Sequence, residues 1–330
     1  MTTLTETAYY TRKAINWGLI ALVVLFIFKI LLDLTLTTWK RIHPPAPPPP
    51  TVSFGKLPAL KFPAVESDPS SPKLNFKLET IDGKTPIASS TGTVFFMPKP
   101  SPNLLSLNRT QQFAQKMGFT GEPQAENQNL YRWQDNEIPQ RILRVDIVNG
   151  NFKLSYDYGS DLSVFTEKNL PNQTKAMNET TNYLQNLGLF STPLEKGENK
   201  VSYYQLMDNN LLPTTSLANA DAVRIDLGRE DLLGLKLLSV KYPQELINLI
   251  FSGSKQTKKR FLELNYIFWK IEEEQSATYP LKTSAQAWEE LRNGGGFIVR
   301  PPDDKQNVIV RKIYLAYFYP EEYQLIHFRM

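Results

Sequence analysis

Between Ala14 and Leu36 the chain is almost unbroken in its apolarity, and the proline run Pro44 to Pro50 follows a few residues later. Roughly 20 apolar residues are what a helix needs to cross the hydrocarbon of a bilayer. Trp17 and Trp39 bracket the run, where indole rings suit the two interfaces. Lys29 and Asp33 interrupt it near its outer end. They stand four apart on one helical face, where they can pair or reach toward the headgroups. Proline cannot continue a helix, and consecutive prolines hold an extended polyproline II spacer of about 3.1 Å per residue. The start of the chain therefore predicts a cytoplasmic tail at 1–13, a bilayer-spanning anchor at 14–38 and a proline-rich tether at 39–72. The apolar part is longer than that of a cleaved signal peptide, and no small-residue cleavage pattern precedes the prolines, so an uncleaved anchor is expected. Arg12-Lys13 is matched by Lys40-Arg41 across the helix. Direction then follows from the short tail, which stays inside and leaves the large remainder extracytoplasmic.

The net charge of +4 is concentrated at this end. Residues 1–50 carry five basic side chains against two acidic ones, which leaves 32 against 31 in the rest of the 330-residue chain. A nucleic-acid binder needs a concentrated cationic surface, and this near-neutral remainder excludes one. Cysteine is absent, which removes disulfides, thiolate nucleophiles and cysteine metal sites. Two histidines, His43 and His327, are too few for histidine triads or histidine-rich metal centres. Gly294 to Gly296 follows a helical pattern instead of opening one and lacks the P-loop lysine, so it reads as a turn. No cofactor, metal or catalytic site is expected.

Beyond the tether, two segments about 70 residues apart read alike. Phe113-Ala-Gln-Lys-Met-Gly-Phe119 aligns with Tyr183-Leu-Gln-Asn-Leu-Gly-Leu189, each closing a helix on a glycine that suits a left-handed backbone. Ser106 is the expected N-cap of the first helix. In the second, Ala176, Thr180, Tyr183, Leu184 and Leu187 fall on one stripe. Leu130 to Trp133 and Val201 to Leu206 follow as strands. Then come Ile142 to Ile147 and Ala222 to Leu227, which share Arg144-Val-Asp146 and Arg224-Ile-Asp226. Phe152 to Tyr158 alternates with period two after an Asn149-Gly150 turn, a hairpin signature, and Leu235 to Tyr242 is its expected counterpart. A rearranged third version has the β-prone run Phe261 to Ile271, a Thr283/Gln286 capping box opening a helix, and a returning strand from Val308 to Phe318. The expectation is an α+β protein: a transmembrane helix, then repeated helix-plus-antiparallel-sheet modules at 73–165, 166–255 and 256–330. Lys255 to Arg260 is expected as an exposed loop between modules.

The carboxy-terminal stretch, Tyr279 to Arg292 with a glycine break and then Val310-Arg-Lys-Ile-Tyr-Leu-Ala-Tyr317, resembles the YycH/YycI type of bacterial extracytoplasmic regulator. It is also similar to single-pass, proline-tethered membrane proteins of small-genome bacteria. The likeness spans residues 73–330 as architecture and about forty residues as pattern, most of it core spacing. The resemblance implies a single-pass protein that acts on a membrane partner such as a sensor histidine kinase. A closing strand of that pattern is missing where the sequence stops at Met330, so the last sheet is expected to be incomplete.

Each Arg/Asp pair lies two apart on a strand and so on one face, which predicts a salt bridge across a sheet surface. Aromatic residues are favoured at interface hot spots. The outward half of the aromatics, Tyr131, Trp133, Tyr204, Tyr266, Trp269 and Tyr317, is therefore the candidate interaction face. The expected role is a membrane-anchored, non-enzymatic protein-interaction module in the envelope, held to the bilayer through 14–38 and binding an envelope or membrane protein. The alternatives are a carboxylate-dependent cell-wall hydrolase, with Asp146, Asp157 or Asp226 as candidates, and a purely structural scaffold. The first predicts an exposed aromatic patch; the second predicts two carboxylates facing each other across a groove.

Overall fold

A computed structural model describes residues 4–42, 49–63, 74–300 and 307–323. Most of the polyproline spacer, the end of the tether, His327 and Met330 lie outside the described residues. The chain divides into two units, 1–49 and 50–330. The first is one helix, α1, Leu4–Ile42. Within its stretch Thr11–Trp39 an 18-residue window reaches a mean hydropathy of 2.7 with none of it buried, so the helix is long and apolar enough to span a membrane. The same length and composition also serve a signal sequence.

The second unit is built on one antiparallel sheet of nine strands: β1 (Gln124–Ala125), β2 (Leu130–Gln134), β3 (Arg141–Asp146), β4 (Phe152–Tyr156), β5 (Asn199–Met207), β6 (Asn210–Thr214), β7 (Ala222–Leu227), β8 (Ile247–Ser252) and β9 (Phe261–Tyr266). Their spatial order is β1-β2-β3-β4-β9-β8-β7-β5-β6. Side chains alternate across each strand, so residues paired in the ladder share a face. One such row runs Trp133, Leu143, Leu154, Leu264, Leu249, Ile225, Val201, and every member but Val201 is fully buried.

Two helices cover this apolar face: α2 (Ser106–Lys116) and α3 (Gln173–Leu187). Each buries residues four apart: Ser106, Thr110 and Ala114 on α2, and Ala176, Thr180 and Leu184 on α3. Small side chains in these stripes let the helices sit close to the sheet, while Phe113 meets Phe152 edge-on and Tyr183 stacks on Phe261. Gly118 and Gly188 end the helices with φ of 85° and 73°, conformations that would strain any other residue. Asn172 caps α3 as its side chain accepts the Lys175 N–H. Ser106 does not cap α2. Leu105 holds that position, and Ser106 is the first helical residue, its hydroxyl accepting the Asn103 N–H.

Strands from all three expected modules meet in the nine-stranded sheet, while the remaining strands pair in three separate two-stranded sheets. The first helical segment supplies β2-β3-β4 and the second supplies β5, β7 and β8, with β9 from the third at the centre. In space the second series runs in reverse order. Neighbours are antiparallel throughout, so β2 and β5, six places apart, point the same way. Reversed order with unchanged strand direction and helix face is a mirror relation, which no rotation of one copy onto another produces.

The expected counterpart of the hairpin also moves. Within Leu235 to Tyr242 only Leu237–Leu238 is a strand, and it pairs parallel with Tyr317–Phe318 in a separate two-stranded sheet. The role in the large sheet falls to Ile247–Ser252, a more continuous apolar run buried on both sides. The returning strand from Val308 is likewise split, with Asn307–Val310 pairing parallel to Asn75–Leu78. The capping box at Thr283 and Gln286 is formed and opens α4, Ser284–Arg292, of which no residue is buried.

The distal part of the tether belongs to the folded unit. Val52 donates its N–H to the Thr278 carbonyl, the Tyr279 hydroxyl reaches the Gly55 carbonyl, and Leu57 is buried with Val94, Ala277 and Tyr279. The basic run at 255–260 is not a loose loop either. It forms a helical turn, Thr257–Arg260, whose side chains tie separate segments together. Lys258 holds Asp135 and Glu137, Lys259 holds Asp161, and Arg260 grips Glu179. Beneath it, Arg141 donates to Asp135 at 3.1 Å and to the Met117 carbonyl at 2.8 Å while lying over the Phe119 ring. Burial alone would raise the Asp135 carboxyl. Hydrogen bonds from the Glu137 and Ile138 N–H groups, Lys258 and Arg141 outweigh it and hold that carboxyl below the usual range.

Candidate interaction face and a polar cleft

The six aromatic residues expected to form a face do not come together on one. Trp133 and Tyr317 are fully buried, and Trp269 and Tyr266 nearly so. Tyr266 stacks on Phe152 at 5.4 Å and donates its hydroxyl to the Leu189 carbonyl. The Trp269 indole donates to the Pro320 carbonyl and its backbone N–H to the Tyr319 hydroxyl. The Tyr317 hydroxyl reaches the Thr93 carbonyl. Tyr131 and Tyr204 are half-buried, packed against two different clusters. Tyr266, Trp269 and Tyr317 satisfy their polar atoms internally, whereas the Trp133 indole N–H is buried in the sheet core without a hydrogen-bond partner among the described residues.

What lies outward is polar. The row one residue removed from the apolar one reads Arg132, Arg144, Lys153, Asn265, Asn248, Asp226, Lys200 across seven strands. Toward one strand end the 3₁₀ turn Leu162–Phe165 closes this face, with Val164 and Phe165 packed on Ala222. Toward β7 the segment carrying Glu245 lies over it: the Glu245 N–H donates to Asp226, and the Asn248 side chain donates to the Glu245 carbonyl. The half built by β2, β3 and β4 stays open, with the Arg144 and Lys153 side chains 38% and 52% exposed.

Three cations sit directly opposite one another in that half, an arrangement that costs stability. Glu126 takes Arg144 at 2.8 and 3.1 Å, and Glu263 lies 3.8 Å from Lys153. Among the described residues Arg132 has only neutral acceptors, the amide oxygens of Gln124 at 3.1 Å and Gln134 at 3.4 Å. The sequence carried a signal for this face. Arg132, Arg144 and Lys153 each alternate with the large apolar residues of their strands, yet only the ladder register aligns them.

The two Arg/Asp pairs behave differently. Arg224 forks onto Asp226 with bonds of 2.9 to 3.1 Å, and both are buried, as expected of a structural pair. Arg144 turns to Glu126 instead, and Asp146 accepts the Val148 and Asn149 N–H groups to close the hairpin turn. A polar cleft of about 240 Å³ adjoins Asp226, lined also by Glu198, Lys200, Arg229, Asp231, Lys236, Tyr242 and Glu245. Burial, and then the nearby Asp226 charge, push the Glu245 carboxyl up to about 7. Asp157 is exposed and accepts the Ser160 hydroxyl. Asp146 and Asp226 lie on strands four places apart, about 19 Å at the usual strand spacing. That is too far for two carboxylates to work on one bond, which needs roughly 5 to 9.5 Å. Among the described residues no cluster of histidine and carboxylates has metal-binding geometry. A scan against protein-family models and searches of curated proteins and of solved structures find no match to this chain.

Proposed function

We propose that the chain is a membrane-anchored, extracytoplasmic interaction module that docks another envelope or membrane protein and regulates it. The observation that carries this reading is the one-sided sheet: α2 and α3 fill one face, while half of the other stays open and polar with opposed like charges. A sheet that only had to be stable gains nothing from such a row. The anchor, kept uncleaved, holds the face at the outer surface, and the distal tether is packed into the folded unit. The likeness to YycH/YycI-type regulators makes a sensor histidine kinase the first partner to test. Fractionation of cells making the full chain, followed by protease shaving of intact cells, is the direct check. The protein is expected in the membrane fraction with its folded unit cut from outside. A freely soluble or shaving-resistant product refutes the placement.

The cleft favours a second reading, a carboxylate-dependent cell-wall hydrolase acting through Glu245 beside Asp226. Release of soluble fragments from peptidoglycan by the full chain, lost in Glu245→Gln, would establish that reading over the first.

A further inference from the structure

We infer that the segment this face holds is acidic: a stretch of another polypeptide with carboxylates seated across Arg132, Arg144 and Lys153. The inference rests on the proposed docking role and names the chemistry of the partner. Adjacent strands lie about 4.8 Å apart, so the three cations span about 10 Å, within reach of one or two carboxylate side chains. Arg132 presents a guanidinium fork whose neutral amide acceptors a carboxylate would displace or join, and charge-assisted bidentate bonds are about twice as strong as neutral ones. An anion there also relieves the like-charge opposition in the free protein.

The sign pattern selects the class of partner. Glu126 and Glu263 stand among the cations, each about 30% exposed. A dense polyanion such as polyphosphate, or a charged lipid surface, would meet these carboxylates as well as the cations. A peptide with a few acidic residues among neutral ones fits between them, and Gln124, Gln134, Ser155 and Asn265 supply hydrogen bonds to its remaining polar groups.

The test uses the full chain in detergent micelles with three probes: a peptide of glutamates spaced among glycine and serine residues, inorganic polyphosphate and phosphatidylglycerol vesicles. The spaced-glutamate peptide is expected to bind, and Arg132→Gln to weaken it about tenfold or more, since hydrogen bonds to charged groups are worth about one to two decades of affinity. Arg132→Lys should recover part of the loss. Equal affinity in Arg132→Gln, or binding confined to polyphosphate or to vesicles, overturns the inference. A photo-crosslinking residue at Ser155 in living cells separates the two levels. An adduct with another protein that persists unchanged in Arg132→Gln overturns the acidic partner and leaves the docking role standing. Loss of the adduct in that variant supports both, and no protein adduct from this face overturns the docking role itself.

Discussion

Replacing Glu245 by glutamine should change how the stability of the folded unit depends on pH. The Glu245 carboxyl is raised from its ordinary 4.5 to about 7, first by burial and then by the charge of Asp226, while Lys236 opposes the shift and Glu198 adds to it. A carboxyl raised on folding is protonated in the native state and ionised in the unfolded chain between those two values. Its contribution is therefore fully present below about pH 4.5 and lost as pH rises toward and through 7. At 1.36 kcal/mol per pH unit the loss is at most about 3 kcal/mol, and water at the mouth of the cleft reduces it to about 1–3 kcal/mol. Glutamine keeps the shape and carries no charge, so the variant should lose this slope and gain that amount at about pH 8 relative to the parent. Denaturant midpoints of the full chain in micelles, taken between about pH 5 and 8, measure it. Parallel pH profiles for parent and Glu245→Gln would show that Glu245 ionises without cost, and the account of the cleft as a desolvated site would be wrong.

Arg141→Met should destabilise the folded unit by about 3–5 kcal/mol, because it strands the Asp135 carboxylate, only 1% exposed, with fewer partners. A loss under about 1 kcal/mol in denaturant titration would show that Lys258 and the backbone donors suffice. Gly253→Ala should lower stability by about 1–3 kcal/mol or prevent folding, since a Cβ there would lie 1.9 Å from the Glu167 carbonyl oxygen; an unchanged thermal transition would contradict that close approach. Trp133→Ala should cost about 3–5 kcal/mol as a core cavity, whereas Arg132→Gln, on the same strand but the opposite face, should stay within about 0.5 kcal/mol. Equal losses in the two would refute the division of faces.

Local rules made several elements legible in the sequence. Periodicity located both helices, and glycine chemistry ended them at Gly118 and Gly188. The Thr283/Gln286 pattern opened α4 where expected. The Asn149-Gly150 turn and flanking alternation marked the hairpin. For the site, alternation could say that Arg132 and Trp133 face opposite ways but not which way was in. Tryptophan and tyrosine suit both cores and interfaces, so composition set Tyr131, Trp133 and Tyr266 outward on strands where they line the covered side.

The apolar length of α1 and the alternation of each strand are properties of neighbouring residues, so the chain determines them without reference to its fold. Which strands become neighbours depends on contacts between residues far apart in the chain, as far as Asn75 from Asn307, and many pairings satisfy the same alternation. Tertiary structure alone decided that β9 sits at the centre, that the two helical segments meet in mirrored order, and that the basic turn at 257–260 gathers Asp135, Asp161 and Glu179. It also aligned three cations from three strands into one row, because side chains become opposed only after ladder register is set.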